Sequence, residues 1–257
     1  MENVSATTND AKEFVRICSN ACYDDEIFNN IKKIPDFTYV LEHTTVSFGQ
    51  DYLNIIKRDN PQLLDKIPIF KTNDDVGGGA THKYGEYEIS PSTLRYVKVL
   101  SDLINLYGTL DGMKIVEIGG GYGGQCKIIN DIFNFKDYHI IDLPEVVKLS
   151  EKYLSNFNVN NVRFSTYEKL DIEHYDLIIS NFAFSELHKD LQMLYKEKII
   201  DNSSNGYITC NFITNFIKGG GFPTFTKNEL LSMKNNTVII AEEPLTGPNN
   251  MILTWKK

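Results

Sequence analysis

The alternation of strand-like and helix-like segments after Met113 constrains the fold most strongly. Strands separated by helices of about 10–15 residues form a parallel sheet with helices on both faces, so this pattern predicts a doubly wound, mostly parallel α/β sheet of seven strands. Residues 242–250 are too few for a crossover helix, so the last two strands should pair as a hairpin with the last strand antiparallel. Strands are predicted at 114–118, 138–141, 162–165, 176–180, 206–211, 237–241 and 251–255, and helices at 123–133, 144–156, 189–201 and 227–233.

The first 90 residues form a separate region that is predicted to be mainly helical. Apolar side chains recur at helical spacing over 14–21 and 27–34, and a longer helix is expected over 37–57. Residues 73–85 contain three consecutive glycines and predict a mobile lid loop. Ser90 and Pro91 are typical of a helix start, and Gly108 of its end. We therefore expect a helical cap with a lid loop over 1–90 and the α/β domain over 91–257.

Charge and cysteine content limit the classes of function. The net charge is -8 without a visible basic cluster, which disfavours binding to nucleic acid or to an anionic membrane. No apolar run approaches the roughly 18 residues of a membrane helix. The N-terminus lacks a basic start followed by an apolar stretch, and the four cysteines include no C-x-x-C pair. A cytoplasmic protein with reduced thiols is expected.

A glycine-rich turn follows the first strand of the alternating region. Gly119, Gly121 and Gly124 satisfy G-x-G-x-x-G between a predicted strand and a predicted helix, where glycine lets the backbone approach a ligand. Asp142 ends the next strand, and an acid at that position can accept both hydroxyls of a ribose. Taken separately, these features are also typical of an ordinary turn and of an N-cap for the following helix. Together, in this order, they predict a nucleoside-binding site.

The residues around the turn favour one class of cofactor. Glu117 extends the motif to E-x-G-x-G-x-G through Gly119, Gly121 and Gly123, and a carboxylate there suits a cationic amino-acid moiety better than a pyrophosphate. This pattern and the terminal hairpin resemble the Rossmann-like class I S-adenosylmethionine-dependent methyltransferases, from Ser90 to the C-terminus. The alternatives are an NAD(P)-dependent oxidoreductase acting on a nucleotide sugar and a non-catalytic cofactor-binding protein.

Several segments carry a narrower resemblance. ISPSTLRYVKVLSDL, VEIGGGYGGQCKII, IIDLPEVVKLSEKYL, NFAFSEL and AEEPLTGPNN are similar to the sugar O-methyltransferases of bacterial surface-polysaccharide clusters. The resemblance implies a nucleotide-linked sugar as acceptor, used in capsule or lipopolysaccharide synthesis. The third strand ends Ser-Thr-Tyr-Glu and lacks the Asp-Val or Asp-Leu pair that commonly contacts adenine, which leaves Tyr167 and Glu168 as candidates. Further candidates for the cofactor site are Tyr122, Leu143 and Asn181.

Methyl transfer to an alcohol requires alignment of donor and acceptor and a base that removes the hydroxyl proton. The segment after the fourth strand, residues 180–188, contains both Glu186 and His188. His188 is the leading candidate, because an imidazole accepts a proton near neutral pH. Glu186 is an alternative base, or a residue that orients a histidine or binds the sugar. Both are also typical of a helix start.

A third candidate base is His82, in the predicted lid loop, where an exposed loop histidine is the competing interpretation. His43, His139 and His174 are predicted to be structural. Residues 218–223 form a second glycine-rich loop that could close over the acceptor. No closely spaced acid pair follows the fourth strand, which favours chemistry without a metal ion. The apolar helices before Ser90 make a homodimer plausible.

Overall fold

A seven-stranded sheet lies at the centre of the computed structural model, which describes residues 11–212 and 222–257. The described residues form nine strands, of which the first two pair as a separate hairpin and the other seven form the sheet. They are β1 (His82–Tyr84), β2 (Tyr87–Ile89), β3 (Lys114–Ile118), β4 (Asp137–Ile141), β5 (Val162–Ser165), β6 (Tyr175–Asn181), β7 (Ser203–Cys210), β8 (Val238–Ala241) and β9 (Met251–Trp255). The sheet has the order β5-β4-β3-β6-β7-β9-β8. Strand β9 is antiparallel to both of its neighbours, β7 and β8, and every other neighbouring pair in this sheet is parallel. The predicted fold class is therefore confirmed, including the terminal hairpin.

Helices cover the sheet and build the N-terminal cap. Ser90 begins α7, because its hydroxyl accepts the Thr93 amide at 3.0 Å, and Gly108 ends it with φ 76°. The helices are α1 (Ala11–Tyr23), α2 (Asp25–Asn29), α3 (Pro35–Leu41), α4 (Val46–Asp59), α5 (Ile67–Phe70), α6 (Thr72–Asp75), α7 (Pro91–Tyr107), α8 (Gly124–Asn130), α9 (Pro144–Leu154), α10 (Ala183–Glu186), α11 (Lys189–Tyr195) and α12 (Lys227–Leu231). Three short 3₁₀ segments occur at Ile31–Lys33, Pro61–Lys66 and Tyr167–Lys169, and a π-helical segment, Lys196–Ile200, continues α11.

The cap differs from its prediction in two places. The helix expected over 37–57 is two helices, α3 and α4, because Thr45 starts a new helix by accepting the Phe48 amide at 3.3 Å. The predicted lid loop instead contains α6 and the β1–β2 hairpin. Asp74 anchors this region, since its carboxylate accepts the Ser90 amide at 2.8 Å and the Ser90 and Thr93 hydroxyls at 2.6 Å each.

The cap packs onto one face of the sheet. Successive residues of β6 alternate between two hydrophobic clusters, as expected for a strand buried on both faces. Leu177 and Ile179 belong to the cluster that also contains Phe14 and Phe37 of the cap, whereas Ile178 belongs to the other. The cap is thus a packed layer of the same core. Within residues 11–212 and 222–257, every helix is too short or too polar to cross a bilayer.

Candidate active site

A cavity of about 400 Å³ opens at the carboxyl ends of the strands, beside the point between β3 and β6 where the strand order reverses. This point is where open α/β sheets bind their ligands. One wall consists of the glycine turn after β3 and the end of β4. The segment after β6 and the residues after β7 and β8 form a second wall, and the cap covers the third side. The sequence-predicted residues that line the cavity are Gly119, Gly121, Asp142, Asn181 and Glu186.

The glycine turn has a backbone that other residues rarely adopt. Gly119 and Gly121 have φ angles of 73° and 54°, in the left-handed region. A Cβ atom built on Gly119 would overlap that of Ala183, at the start of α10. Leu41 of the cap lies over Gly121, 3.2 Å from where its Cβ would be. Glycine at these positions therefore brings the turn close to α10 and to the cap.

Asp142 holds the turn in place. Its Oδ2 accepts the Gly121 amide at 2.9 Å and its Oδ1 accepts the Leu143 amide at 2.7 Å. Burial raises the pKa of this carboxyl to about 6, against the opposing effect of the two amides. The N-cap of α9 is Leu143, and no side chain caps that helix, so the N-cap interpretation of Asp142 is wrong. Each carboxylate oxygen keeps a lone pair that could accept a further hydroxyl proton.

Three predicted cofactor residues are buried and do not line the cavity. Glu117 is 2% exposed and accepts the Tyr138 hydroxyl at 2.8 Å, and burial raises its pKa to about 8. Tyr122 is 1% exposed and donates its hydroxyl to Glu42 at 2.7 Å. Gly123 is the N-cap residue of α8, with φ 93°. These residues therefore support the glycine turn as part of the buried structure around it.

The residues predicted near the adenosine also lie outside the cavity lining. Leu143 packs, partly buried, against the cluster shared with the cap. Tyr167 begins the short helical segment after β5 and packs against the second cluster. Their contact with adenine remains a prediction.

A polar cluster follows β6 and β7 and faces the cavity, with Asn211 buried and Glu186 partly open to solvent. Glu186 ends α10, and Asn211, which comes directly after β7, donates its side-chain amide to the Glu186 carboxylate at 2.5 Å. Burial raises the pKa of Glu186, and the Asn211 hydrogen bond opposes this rise. Asn181 Nδ2 and Asn211 Oδ1 are buried without a hydrogen-bond partner among the described residues. Buried polar groups are normally hydrogen-bonded, so these atoms are available to a ligand.

The segment between Asn181 and Glu186 has an unusual backbone. Phe182 lines the cavity and has φ 69°, which is rare for a residue with a large side chain. Ser180 stabilises the turn by accepting the Phe184 amide at 3.0 Å and donating its hydroxyl to the Ile118 carbonyl at 2.9 Å. Non-glycine residues with such angles concentrate at functional sites. This turn directs α10, and with it Glu186, towards the cavity.

Two of the three predicted bases do not line the cavity. His188 is the N-cap of α11, where its Nδ1 accepts the Asp190 amide at 3.2 Å, and its ring lies 5.7 Å from that of Phe222. This helix-start role is the alternative interpretation that the sequence offered. His82 is exposed on β1, where it pairs with Ile89. Of the predicted bases, the structure brings only Glu186 to the cavity.

Two cavity residues were missed by the sequence analysis. His43, predicted to be structural, follows α3 and lines the cavity, where burial and the neighbouring Arg95 lower its pKa. Arg95 projects from α7 into the same wall. Arg95 could have been a signal, since most of its neighbours in α7 are buried and, unlike the buried Lys98, it has no acid four residues further along the helix.

The structure leaves two predictions untested. Residues 218–221 of the second glycine-rich loop lie outside the described residues, so its closure over the acceptor remains a prediction. Within 11–212 and 222–257, no three His, Cys, Asp or Glu side chains are grouped as they are around a metal ion. Metal independence also remains a prediction.

No protein-family model matches the sequence, and no curated protein does. Among solved structures, the chain is similar to an S-adenosylmethionine-dependent methyltransferase from Mesorhizobium loti, at 13% identity over 60% of this chain and 94% of that chain, with a TM-score of 0.44. It is also similar to magnesium protoporphyrin IX methyltransferase from Synechocystis PCC 6803 with bound S-adenosylhomocysteine, at 10% identity over 80% and 99%, with a TM-score of 0.46. At this distance the neighbours identify no activity, so the proposed activity must rest on the chain's own residues.

Proposed function

We propose that the protein transfers a methyl group from S-adenosylmethionine to a hydroxyl of a sugar. One observation carries this proposal: a single cavity joins the glycine turn and Asp142 to the hydrogen-bonded Glu186–Asn211 pair. S-adenosylmethionine supplies a methyl group that is already activated on a sulfonium, so the protein needs to align the reactants and remove a proton. The acceptor class, a nucleotide-linked sugar for surface polysaccharide, is proposed from the resemblance of the sequence segments.

The cavity residues fit this donor. The turn at Gly119 and Gly121 exposes backbone without side chains to the cavity, and Asp142 has lone pairs left for ribose hydroxyls. Asp142 and Glu186 place two acidic groups on the lining, which suits a ligand that carries a sulfonium and an ammonium. In this arrangement Asp142 binds the ribose and the glycine turn lies against the methionine part.

Glu186 is the base in this proposal, in place of His188. A carboxylate whose pKa is raised by desolvation holds a proton better at neutral pH than one with the usual pKa, which makes it a stronger base. Asn211 orients the carboxylate through its hydrogen bond at 2.5 Å. Glu186 accepts the proton of the acceptor hydroxyl as the hydroxyl oxygen attacks the methyl group. His43 is the second candidate, because it lines the same cavity and its lowered pKa keeps the ring neutral.

The test is release of S-adenosylhomocysteine from S-adenosylmethionine in the presence of a panel of nucleotide sugars. The wild type should release it with at least one acceptor. Glu186→Gln should lower kcat by roughly 10²–10⁴, the range for loss of a general base, with little change in donor affinity. Glu197→Gln is the matched control, since Glu197 is exposed, at 68% of its side-chain area, and does not line the cavity.

Other outcomes discriminate between the assignments. If Glu186→Gln stays active and His43→Gln is inactive, His43 is the base and Glu186 binds the sugar. If the wild type neither binds S-adenosylhomocysteine nor releases it with any acceptor, the proposed function is wrong.

A further inference from the structure

We propose that Arg95 forms an anion-binding site on the cap side of the cavity, which takes a carboxylate or phosphate group of the acceptor. The inference rests on the proposed function, because it specifies the acceptor of that same cavity. It assigns a residue of this chain to an anionic group of the acceptor, either the phosphate of a nucleotide-linked sugar or a carboxylate on the sugar.

The guanidinium of Arg95 is poorly partnered. Its Nη2 donates to the Leu41 carbonyl at 3.4 Å, near the limit of a hydrogen bond, and its Nε is buried without a hydrogen-bond partner in the described parts of the chain. It also interacts with the Tyr96 side chain, whose ring centroid lies 5.4 Å away. No carboxylate within 11–212 or 222–257 forms a salt bridge with it. Glu42 is near enough to attract it but is engaged by the Tyr122 hydroxyl at 2.7 Å.

Desolvation disfavours the charge of the Arg95 guanidinium, although the nearby Tyr96, Tyr52 and Glu42 outweigh it and raise the pKa of Arg95. Arginine stays protonated at any ordinary pH, so it cannot avoid the cost of desolvation by losing its proton. An anion bound in the cavity would compensate this cost. The planar guanidinium matches the oxygens of a carboxylate or a phosphate, with which it forms two parallel hydrogen bonds.

The surroundings of Arg95 suit an anion. Thr44, His43 and Tyr52 line the same cavity and carry groups that can donate hydrogen bonds. Among the described residues that line the cavity, Arg95 is the only lysine or arginine. The lining of the cavity therefore contains the positively charged Arg95 as well as the acidic Asp142 and Glu186.

The assignment to the acceptor rests on the link between Arg95 and the loop before β9. Tyr52 lies within electrostatic range of both Arg95 and Glu242. Glu242 accepts the amide and hydroxyl of Thr246 at 2.9 and 2.7 Å, and so shapes the loop before β9 that also lines the cavity. Asp142, the proposed ribose ligand, follows β4, on the other side of β3 and β6 in the sheet order. Tyr52 thus links Arg95 to the loop before β9, while Leu41, which accepts from Arg95 and lies over Gly121, links it to the glycine turn, so the donor is the competing partner.

Calorimetric titration tests this site with pyrophosphate as the phosphate probe and D-glucuronate as the carboxylate probe, each with and without S-adenosylhomocysteine. The wild type should bind at least one probe. Arg95→Gln should weaken that binding about 10- to 150-fold, as expected for loss of hydrogen bonds to a charged group. Arg95→Lys keeps the charge without the planar group and should weaken binding less. Arg163→Gln is the control, because Arg163 pairs with Asp137 at 2.8 Å and lies outside this cavity.

The donor is the competing partner, and two nucleosides separate it from the acceptor. S-adenosylhomocysteine carries an amino-acid carboxylate, which 5′-methylthioadenosine lacks. The inference predicts that Arg95→Gln changes the affinity for both by less than about threefold. Selective loss of S-adenosylhomocysteine binding would show that Arg95 binds the donor, and the inference would be wrong. It is also wrong if neither probe binds the wild type at millimolar concentration. If only S-adenosylhomocysteine fails to bind the wild type, the proposed function fails while the probe titrations still decide the anion site.

Discussion

Replacing Asp142 with asparagine separates a ligand-binding role from a structural one. The carboxylate accepts the Gly121 and Leu143 amides at 2.9 and 2.7 Å, and asparagine keeps one acceptor oxygen for them. Each carboxylate oxygen serves a different amide, so asparagine leaves one amide without its acceptor, at a cost of about 1–3 kcal/mol. Burial raises the pKa of Asp142 to about 6, so removal of its charge should offset part of that cost. We expect the melting temperature without ligand to stay within about 4 °C of the wild type, which corresponds to roughly 1 kcal/mol.

Binding of S-adenosylhomocysteine should respond much more strongly. Loss of the charged acceptor for the ribose hydroxyls should cost about 1.5–3 kcal/mol, or about 10- to 150-fold in affinity by calorimetry. Hydroxyls that donate to a carboxylate favour its ionised form, so wild-type affinity should fall as the pH drops through about 6, the pKa of Asp142. Asp142→Asn should lack this pH dependence. An affinity within about threefold of the wild type, with the same pH profile, would show that Asp142 only anchors the turn.

Further substitutions test individual contacts. His188→Ala should leave kcat within about threefold and cost about 0.5–1.5 kcal/mol in urea unfolding, because it removes only a helix-start hydrogen bond, and a 10²-fold loss of kcat would contradict this. Gly119→Ala should lower the free energy of unfolding in urea by about 1–3 kcal/mol, and Ala183→Gly in the same chain should restore only the part due to overlap, with the φ strain remaining. Glu117, with its pKa raised to about 8, keeps a proton that the unfolded chain releases above about pH 4.3. Wild-type stability should therefore fall with rising pH, by up to about 1.4 kcal/mol per unit between these values, and Glu117→Gln should gain on the wild type from pH 5 to pH 8 in urea titrations. Parallel pH profiles would contradict that sign.

The sheet could be predicted from the sequence because its signals are local. The bounds predicted for β3, β5 and β9 are those observed, and each strand is a short apolar or β-branched run that ends in a turn residue. The topology followed from the length of the connections. Cap helices were harder, because apolar spacing continues across the break before Thr45.

The candidate site was predictable where its residues follow neighbouring strands of the predicted parallel sheet. Gly119, Gly121 and Asp142 follow adjacent strands, so the parallel sheet brings them together. The Glu186–Asn211 pair joins residues 25 positions apart, and Arg95 meets His43 across the cap boundary, so no local pattern marks either contact. These contacts depend on how the cap and the loops pack on the sheet.

The choice between Glu186 and His188 shows the limit of a sequence motif. The two side chains are only two residues apart, and the sequence favoured the histidine for its ordinary pKa. In the structure α10 ends at Glu186, Leu187 is extended with ψ 151°, and the chain turns so that His188 starts α11. A short helix and a single extended residue thus send neighbouring side chains to different surroundings, which the spacing alone does not encode.

Mass spectrometry of the products tests the central claim most directly. The purified protein is incubated with S-adenosylmethionine that carries a deuterated methyl group and with a panel of nucleotide sugars, half of them with a carboxylate on the sugar. The account predicts that at least one sugar gains one deuterated methyl group on a hydroxyl oxygen, and that Glu186→Gln greatly reduces this product. Labelled product on a nitrogen or carbon atom, or no labelled sugar despite bound S-adenosylhomocysteine, would contradict it.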